Sequence, residues 1–353
     1  MTILSWLRKS MAIITLAATA IAFTASGQIE VLKLVWSYAD PVSITSFRLR
    51  HAPRETFIAE IRKAVAEEDF DDARQLVRLA TESGHTLPPE LVAATEPDTA
   101  TTAWLNTRDF AYGAVTGDVS SLAALGGTLT ADYFVVGDIR DVVLQGTRLA
   151  QGEDYDGLTL GLAALGLVTL LPGSGPVDLG LSLVKTANRT NKLSHPLRKR
   201  LTVLASDLID TRALKQLWHG KHGLADKVDR VDPAALRKTL APVIRPKIAA
   251  EIGAIARNTG ELVNAGGVKA TLRALEHVDD VATDLPRFTK MARRMGDNSS
   301  AVVRLFGKGA IRLGKLAYAI AGALLALLGW SLGLLWTVID TIRNLRRLFA
   351  RAA

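Results

Sequence analysis

The feature that most constrains this chain of 353 residues is an uncharged apolar run from Leu316 to Ile339. An α-helix rises about 1.5 Å per residue, so these 24 residues exceed the length needed to cross a hydrocarbon core of about 30 Å. A buried helix of a soluble domain keeps a polar face, whereas this run has only Tyr318, Ser331 and Thr337 as mild exceptions. The run predicts a transmembrane helix over residues 316–339, followed by a basic tail over 340–353.

Small residues recur along this predicted span. Gly329 and Gly333 are spaced as G-x-x-x-G, and Gly322 with Ala326 repeats the spacing one helical face earlier. Such spacing lets two helix backbones approach each other closely. It predicts that Gly322, Ala326, Gly329 and Gly333 support association with another helix.

A second uncharged run lies near the start of the chain. Arg8 and Lys9 precede it, and it extends from Ser10 to Ile29. Ala25-Ser26-Gly27 supplies the small residues that a signal peptidase requires. Residues 1–29 are therefore predicted to be either a cleaved signal peptide or an uncleaved membrane anchor, and both alternatives carry the following chain across the membrane.

The formal net charge of +8 conceals two regions of opposite sign. Residues 28–156 hold 21 acidic and 11 basic side chains, whereas residues 178–315 hold 13 acidic and 26 basic ones. Cytoplasmic loops of membrane proteins are enriched in Lys and Arg. The split therefore favours a membrane between the two regions, with the acidic region 30–156 in the periplasm.

The apolar stretch between these regions allows three interpretations. Leu158 to Leu171 contains only 14 residues, which is short for a span, and Pro172 to Pro176 then interrupts the helix. The stretch could form a re-entrant or interfacial hairpin, a buried hairpin of a globular domain, or an irregular span from Gly157 to Val184. Residues 119–185 are therefore predicted to be a Gly-rich apolar helical hairpin or span.

Glycine and aspartate punctuate the apolar segments within residues 130–185. The successive motifs are Val136-Gly137-Asp138, Gly152-Glu153-Asp154, Gly161-Leu162-Ala163-Ala164-Leu165-Gly166 and Leu171-Pro172-Gly173-Ser174-Gly175-Pro176-Val177-Asp178. This succession resembles the glycine-rich hydrophobic pre-toxin hairpins that precede the toxin domain in bacterial polymorphic toxins. The resemblance implies a membrane-active helical hairpin, and it implies nothing about an enzyme.

The whole chain predicts an all-α fold, because no stretch combines sustained strand alternation with the turn chemistry of a hairpin. In the acidic helical region, residues 30–118, Phe57, Ile61 and Val65 mark one helix face. A second helical face extends from Phe70 to Ala80, and Gly84 then offers a C-terminal stop. These two segments predict a helical hairpin.

The basic helical region, residues 186–315, ends in a strongly basic stretch from Arg287 to Lys315. Phe288, Met291 and Met295 recur in this stretch at helical spacing, so it is amphipathic. Two hypotheses remain open: an ordinary solvated helix face, or contact with anionic lipid headgroups next to the predicted span. The candidate headgroup-contacting residues are Arg287, Arg293, Arg294, Arg304, Lys308, Arg312 and Lys315.

The sequence offers no set of residues that predicts catalysis, a cofactor or a metal site. Zero cysteines exclude disulfides, thiol catalysis and Cys-ligated metals. Gly309 to Lys315 matches a phosphate-binding loop up to the final position, where Leu316 replaces the metal-binding Ser or Thr. Nucleic acid is not a predicted partner, because few aromatic residues accompany the basic ones.

These features together predict a non-enzymatic integral protein of the bacterial inner membrane. Its helical domains would act as a scaffold of the cell envelope or bind the membrane surface, with anionic lipids as partners. The alternative hypothesis is a membrane-permeabilising or toxin-associated protein that acts through the apolar hairpin 158–184.

Overall fold

A computed structural model describes residues 3–25, 29, 40–97, 104, 131–169, 175–219, 233–314 and 316–352. The chain divides into two compact units: unit 1 comprises Met1–Phe47 and Arg312–Ala353, and unit 2 comprises Arg48–Ile311. The described residues are helical apart from connecting turns and one isolated antiparallel bridge, which joins Ile209 to Ile244. The predicted all-α class is therefore confirmed.

The α-helices are numbered here in chain order. They are α1 (Ile3–Ala25), α2 (Pro41–His51), α3 (Arg54–Ala66), α4 (Phe70–Glu82), α5 (Pro89–Ala93), α6 (Ala131–Gln151), α7 (Gly157–Thr169), α8 (Pro176–Arg189), α9 (His195–Leu208), α10 (Thr211–His219), α11 (Pro233–Leu240), α12 (Pro246–Leu275), α13 (Val281–Met295), α14 (Ser299–Phe306) and α15 (Leu316–Ala352). Short 3₁₀ turns follow α11, α13 and α14.

Helices α3 and α4 form the predicted hairpin at the beginning of unit 2. Phe57 and Ile61 of α3 are buried, as the apolar spacing requires. The Asp69 carboxylate caps α4 by accepting a hydrogen bond from the Asp72 backbone N–H at 3.2 Å. Gly84 follows α4 with a φ of +83°, a conformation that glycine adopts at no steric cost. Local sequence signals therefore determine both ends of this hairpin.

Helix α12 is the longest helix of unit 2, with 30 residues. It begins at Pro246, where a proline at the first helical turn costs no hydrogen bond, and it kinks at Gly267, whose φ is 81° and ψ 171°. Helices α8, α9, α13 and α14 all pack against it. Helix α12 is thus the common support on which the core of unit 2 is assembled.

The central apolar stretch forms α7, and α7 lies inside unit 2. Leu160, Leu162 and Leu165 are at most 2% exposed, and helices α6, α8, α9 and α11 surround α7. Gly161 allows close packing on α9, because a Cβ atom at this position would lie 2.7 Å from Cβ of Ala205. Of the three interpretations of this stretch, the buried hairpin of a globular domain agrees with the structure. Leu170 to Ser174, which contain most of the predicted interruption, lie outside the described residues.

The acidic and basic regions do not lie on opposite sides of a membrane. Asp69 and Asp72 from the acidic region form ion pairs with Lys269 and Arg273 from the basic region, all within unit 2. These contacts are incompatible with a bilayer between the two regions, so the structure disagrees with the alternative of an irregular span over 157–184. The charge split reflects pairing inside one folded unit.

Candidate functional site

Helix α15 of unit 1 has the properties of a membrane-spanning segment by length and composition. Ile320–Arg343, 24 residues long, is the one stretch of the described chain that is long and apolar enough, and only 6% of its most apolar window is buried. Leu325, Leu332 and Trp336 are each more than 60% exposed. Water is a poor solvent for such a surface, because every exposed apolar side chain costs free energy there.

Helix α1 packs against α15 within unit 1. Its apolar part, Ile13–Ala25, is shorter than a full span. Met11, Ile14 and Ile21 of α1 are nevertheless about as exposed as the leucines of α15. The two helices therefore present a joint apolar surface.

Three of the four small residues predicted to support helix association lie on open parts of α15. A Cβ atom at Gly322 or Gly329 would meet no described atom within 4 Å, and Ala326 is exposed. Gly333 is half-buried. Association of this surface with a helix of another chain remains a prediction.

Arg304 is not available to lipid, contrary to the sequence-based prediction. Its side chain, on α14, is only 7% exposed. Its guanidinium donates to the Glu67 carboxylate at 2.7 Å and to that of Glu60 at 3.3 Å, and it lies 3.7 Å from Asp69 and 3.8 Å from Asp72. Arg304 therefore joins α14 to the α3–α4 hairpin.

Asp69, Asp72, Lys269, Arg273 and Arg304 form a partly buried group that we call the Asp69 cluster. Asp72 has no exposed side-chain surface and pairs with both Arg273 and Lys269. Arg273 also donates to Asp69 at 3.0 Å and to the Ser300 hydroxyl at 2.8 Å. Buried charges are tolerated when each has a partner, so the cluster specifies how the hairpin docks onto α12 and α14.

Some of the other candidate headgroup-contacting residues interact with groups of the protein, and others are exposed. Arg287 donates to the Ile311 carbonyl oxygen at 2.9 Å, and Lys308 pairs with Asp279. Arg293 and Arg294 of α13 are exposed. Arg312 is half-buried in unit 1, and Lys315 lies outside the described residues.

A second buried ion pair, which the sequence did not reveal, joins α6 to α8. The Lys185 ammonium donates to both oxygens of Asp138, at 2.5 and 2.7 Å, and both side chains are less than 10% exposed. Burial lowers the pKa of the Lys185 ammonium and raises the pKa of the Asp138 carboxyl, while their mutual attraction opposes both shifts. One turn away, Arg189 pairs with Asp141. These two pairs had one signal in the sequence, which is spacing. The two acids are three residues apart and the two bases four, so each set lies on one helix face.

A small cavity adjoins this pair. Its volume is about 10 Å³, and its polar lining includes Asp141, Lys185 and Asn188. Such a volume accommodates about one water molecule, whereas ligand pockets measure roughly 300–1,000 Å³. This cavity is therefore too small for a substrate. The environment of the Asp138–Lys185 pair indicates a structural role.

Two surfaces remain as candidates for contact with other molecules: the apolar surface of α15 and the exposed cations of α13. Among the residues that the structure describes, no group of three or more His, Asp or Glu side chains could hold a metal ion. The chain matches no model of a known protein family, no curated protein and no solved structure.

Proposed function

We propose that the protein is a non-enzymatic integral protein of the bacterial inner membrane, in which α15 spans the bilayer and unit 2 acts as a helical scaffold of the cell envelope. The exposed apolar surface of α15 carries this proposal. Burying one Leu side chain contributes about 1.5–3 kcal/mol, so lipid is the environment that this helix fits best. Its 24-residue apolar stretch has a length of about 36 Å, enough for a tilted span.

The charges before and after the apolar part of α1 support an orientation. Arg8 and Lys9 precede the apolar part of α1, whereas Glu30, Lys33 and Asp40 follow it with no net positive charge. The positive-inside rule therefore favours a cytoplasmic start and places the following chain in the periplasm. Because the Asp69 cluster joins the acidic and basic regions, all of unit 2 would be periplasmic, and α15 would return the chain to the cytoplasm.

The absence of cysteine from the sequence makes this orientation directly testable. Single cysteines would be introduced at Glu82 and Thr202, two exposed positions of unit 2, and at Ala353. We expect a membrane-impermeant maleimide to label Glu82→Cys and Thr202→Cys in intact spheroplasts, and Ala353→Cys only after lysis. Different labelling of the two unit 2 positions would contradict a single compartment.

The span itself is tested by adding charge to α15. In Leu325→Arg/Leu328→Arg the helix should no longer cross the bilayer, so Ala353→Cys should become accessible in spheroplasts. The matched control is Leu144→Arg/Val203→Arg, which adds the same charges at two partly exposed apolar positions of unit 2. Unchanged protection of Ala353→Cys in the α15 variant would refute the span.

The alternative function, membrane permeabilisation through residues 158–184, requires unit 2 to open, because α7 is buried. Vesicle leakage separates the two proposals. A scaffold leaves dye-loaded vesicles sealed after reconstitution of the full chain, whereas rapid leakage would favour the alternative.

A further inference from the structure

Helix α13 separates an apolar face from a cationic face. Leu285, Phe288 and Met291 are buried within unit 2. The exposed positions of α13 are Ala282, Thr283, Pro286, Lys290, Arg293 and Arg294. This exposed face therefore contains three cations and no acid, since the acid of α13, Asp284, is buried and accepts hydrogen bonds from the Asp279 and Asp280 backbone N–H groups.

Glu261 of α12 is a weak partner for Arg293. Arg293 lies 3.7 Å from Glu261 of α12, and both side chains are largely exposed, at 67% and 46%. Such a long, solvated pair contributes little, so Arg293 can exchange it for another anion at small cost. Arg304, in contrast, is buried and pairs with the carboxylates of Glu60 and Glu67.

The chain connects α13 to the predicted span over a short distance. Arg287 of α13 donates two hydrogen bonds to the carbonyl oxygen of Ile311, the last residue of unit 2. Leu316, where α15 begins, is five positions after Ile311. Five residues of extended chain reach at most about 17 Å, so a bilayer that accepts α15 lies within that reach of Ile311.

We infer that Lys290, Arg293 and Arg294 form a docking surface for the phosphate groups of anionic lipids. The inference rests on the proposed membrane insertion of α15. Guanidinium groups bind phosphate oxygens through paired hydrogen bonds, and cations close to an anionic bilayer are attracted within a Debye length of roughly 8–10 Å. Docking would hold α13 against the bilayer and fix the orientation of unit 2 on the membrane.

The test uses the full chain reconstituted into vesicles. A fluorophore on Ala282→Cys, at the exposed face of α13, reports its distance from a quencher attached to lipid headgroups. We expect stronger quenching in phosphatidylcholine vesicles that contain phosphatidylglycerol than in phosphatidylcholine alone, and reversal of the difference by 1 M salt. Equal quenching in the two lipid compositions would overturn the inference.

Removal of the three positive charges tests whether Lys290, Arg293 and Arg294 form the docking surface. Lys290→Gln/Arg293→Gln/Arg294→Gln should lower the docking equilibrium constant, obtained from the quenching as phosphatidylglycerol content rises, by roughly five-fold per cation removed. The matched control, Lys199→Gln/Arg212→Gln/Lys215→Gln, removes three exposed cations of α9 and α10 and should leave the quenching unchanged. Equal effects of the two triple variants would show nonspecific attraction and contradict the assignment.

Flotation distinguishes two outcomes: that α15 does not insert into the bilayer, or that α13 does not dock on anionic lipid. Flotation of the reconstituted chain with vesicles after an alkaline wash reports insertion of α15. Loss of flotation would refute the anchor, whereas full flotation without phosphatidylglycerol-dependent quenching would refute only the docking surface.

Discussion

The Cβ position of Gly180 on α8 lies 1.7 Å from the carbonyl oxygen of Ala256 on α12. The same crossing brings the Cβ position of Gly260 within 1.8 Å of the carbonyl oxygen of Pro176. No side chain fits at either position without separating the two helices. Glycine therefore sets the distance between α8 and α12 at the centre of unit 2.

We expect Gly180→Ala to destabilise unit 2 by about 1–3 kcal/mol or more, because the added methyl group forces α8 away from the α12 backbone. Urea denaturation of the full chain in detergent, followed by circular dichroism, measures the change. Gly253→Ala on α12 is the control, since its Cβ would meet no described atom within 4 Å. Alanine is a better helix former than glycine, so this control should keep or raise the stability by up to about 1 kcal/mol.

The Asp138–Lys185 pair gives a second prediction. Lys185→Met leaves the buried Asp138 carboxylate without its cation and should cost about 3–5 kcal/mol near neutral pH. The double variant Asp138→Asn/Lys185→Met should recover part of this loss. Arg200→Met, which breaks the exposed Arg200–Glu251 pair, should change the stability by less than about 1 kcal/mol.

The loss in Lys185→Met should depend on pH. Burial already raises the pKa of the Asp138 carboxyl, and removal of Lys185 raises it further in the folded state. A carboxyl with a raised folded-state pKa stabilises the fold below its unfolded pKa, and this contribution is lost as the pH rises through the folded-state pKa. The difference from the parent protein should therefore shrink on acidification. A constant difference from pH 8 to pH 4 would contradict this account.

Arg304 and Arg293 should respond differently to the same substitution. Arg304→Gln removes the hydrogen bonds from the guanidinium to the partly exposed carboxylates of Glu60 and Glu67 and should cost about 1.5–3 kcal/mol in a urea titration. Arg293→Gln changes an exposed side chain and should cost less than about 1 kcal/mol. Similar losses in both variants would mean that the Asp69 cluster does not stabilise unit 2.

His277 lies between α12 and α13. Its lowered pKa predicts that the protein loses stability on acidification. Burial lowers the pKa of the His277 imidazole, and Lys308 lowers it further, while Glu276 and Asp279 oppose the shift. Below about pH 6.5 the unfolded chain binds a proton on this residue, whereas the folded chain does so only at lower pH. The stability present above this pH should therefore decrease as the pH falls through the folded-state pKa.

Thermal unfolding of the parent protein and of His277→Gln between pH 7.5 and pH 5 measures this contribution. The variant should show a smaller decrease in Tm. His195→Gln, at an exposed position, is the control and should keep the decrease of the parent protein. An identical pH dependence in all three proteins would exclude His277 as the responsible group.

The parts of the fold that depend on local signals were predictable from the sequence. The periodicity of Phe57 and Ile61 identifies α3, the stop at Gly84 identifies the end of α4 within a few residues, and the uncharged run identifies the start of α15, although α15 continues to Ala352. An apolar run such as Leu158 to Leu167, however, has the same composition whether lipid or protein surrounds it. Its location depended on the packing of α6, α8, α9 and α11, which the sequence does not display.

The charge pattern favoured a membrane between the acidic and basic regions because the sequence does not show which charges pair. Arg273 on α12 and Arg304 on α14 lie more than 200 positions from Asp72, so no short window of sequence contains both sides of the Asp69 cluster. Charge counts alone could not distinguish pairing inside one unit from sorting across a membrane. Glycine composition is similarly ambiguous: Gly161, Gly180 and Gly260 mark close helix crossings, which depend on neighbours that are distant in the sequence.

The wide separation of these ion pairs also sets an order of events during synthesis. The α3–α4 hairpin emerges from the ribosome long before Arg273 and Arg304 exist, and at about 5–20 residues per second the interval is roughly ten to fifty seconds. Until then Asp69 and Asp72 lack these partners, so the hairpin cannot complete its final packing. The most distant contacts of unit 2 would thus delay its closure until α12 and α14 have been synthesised.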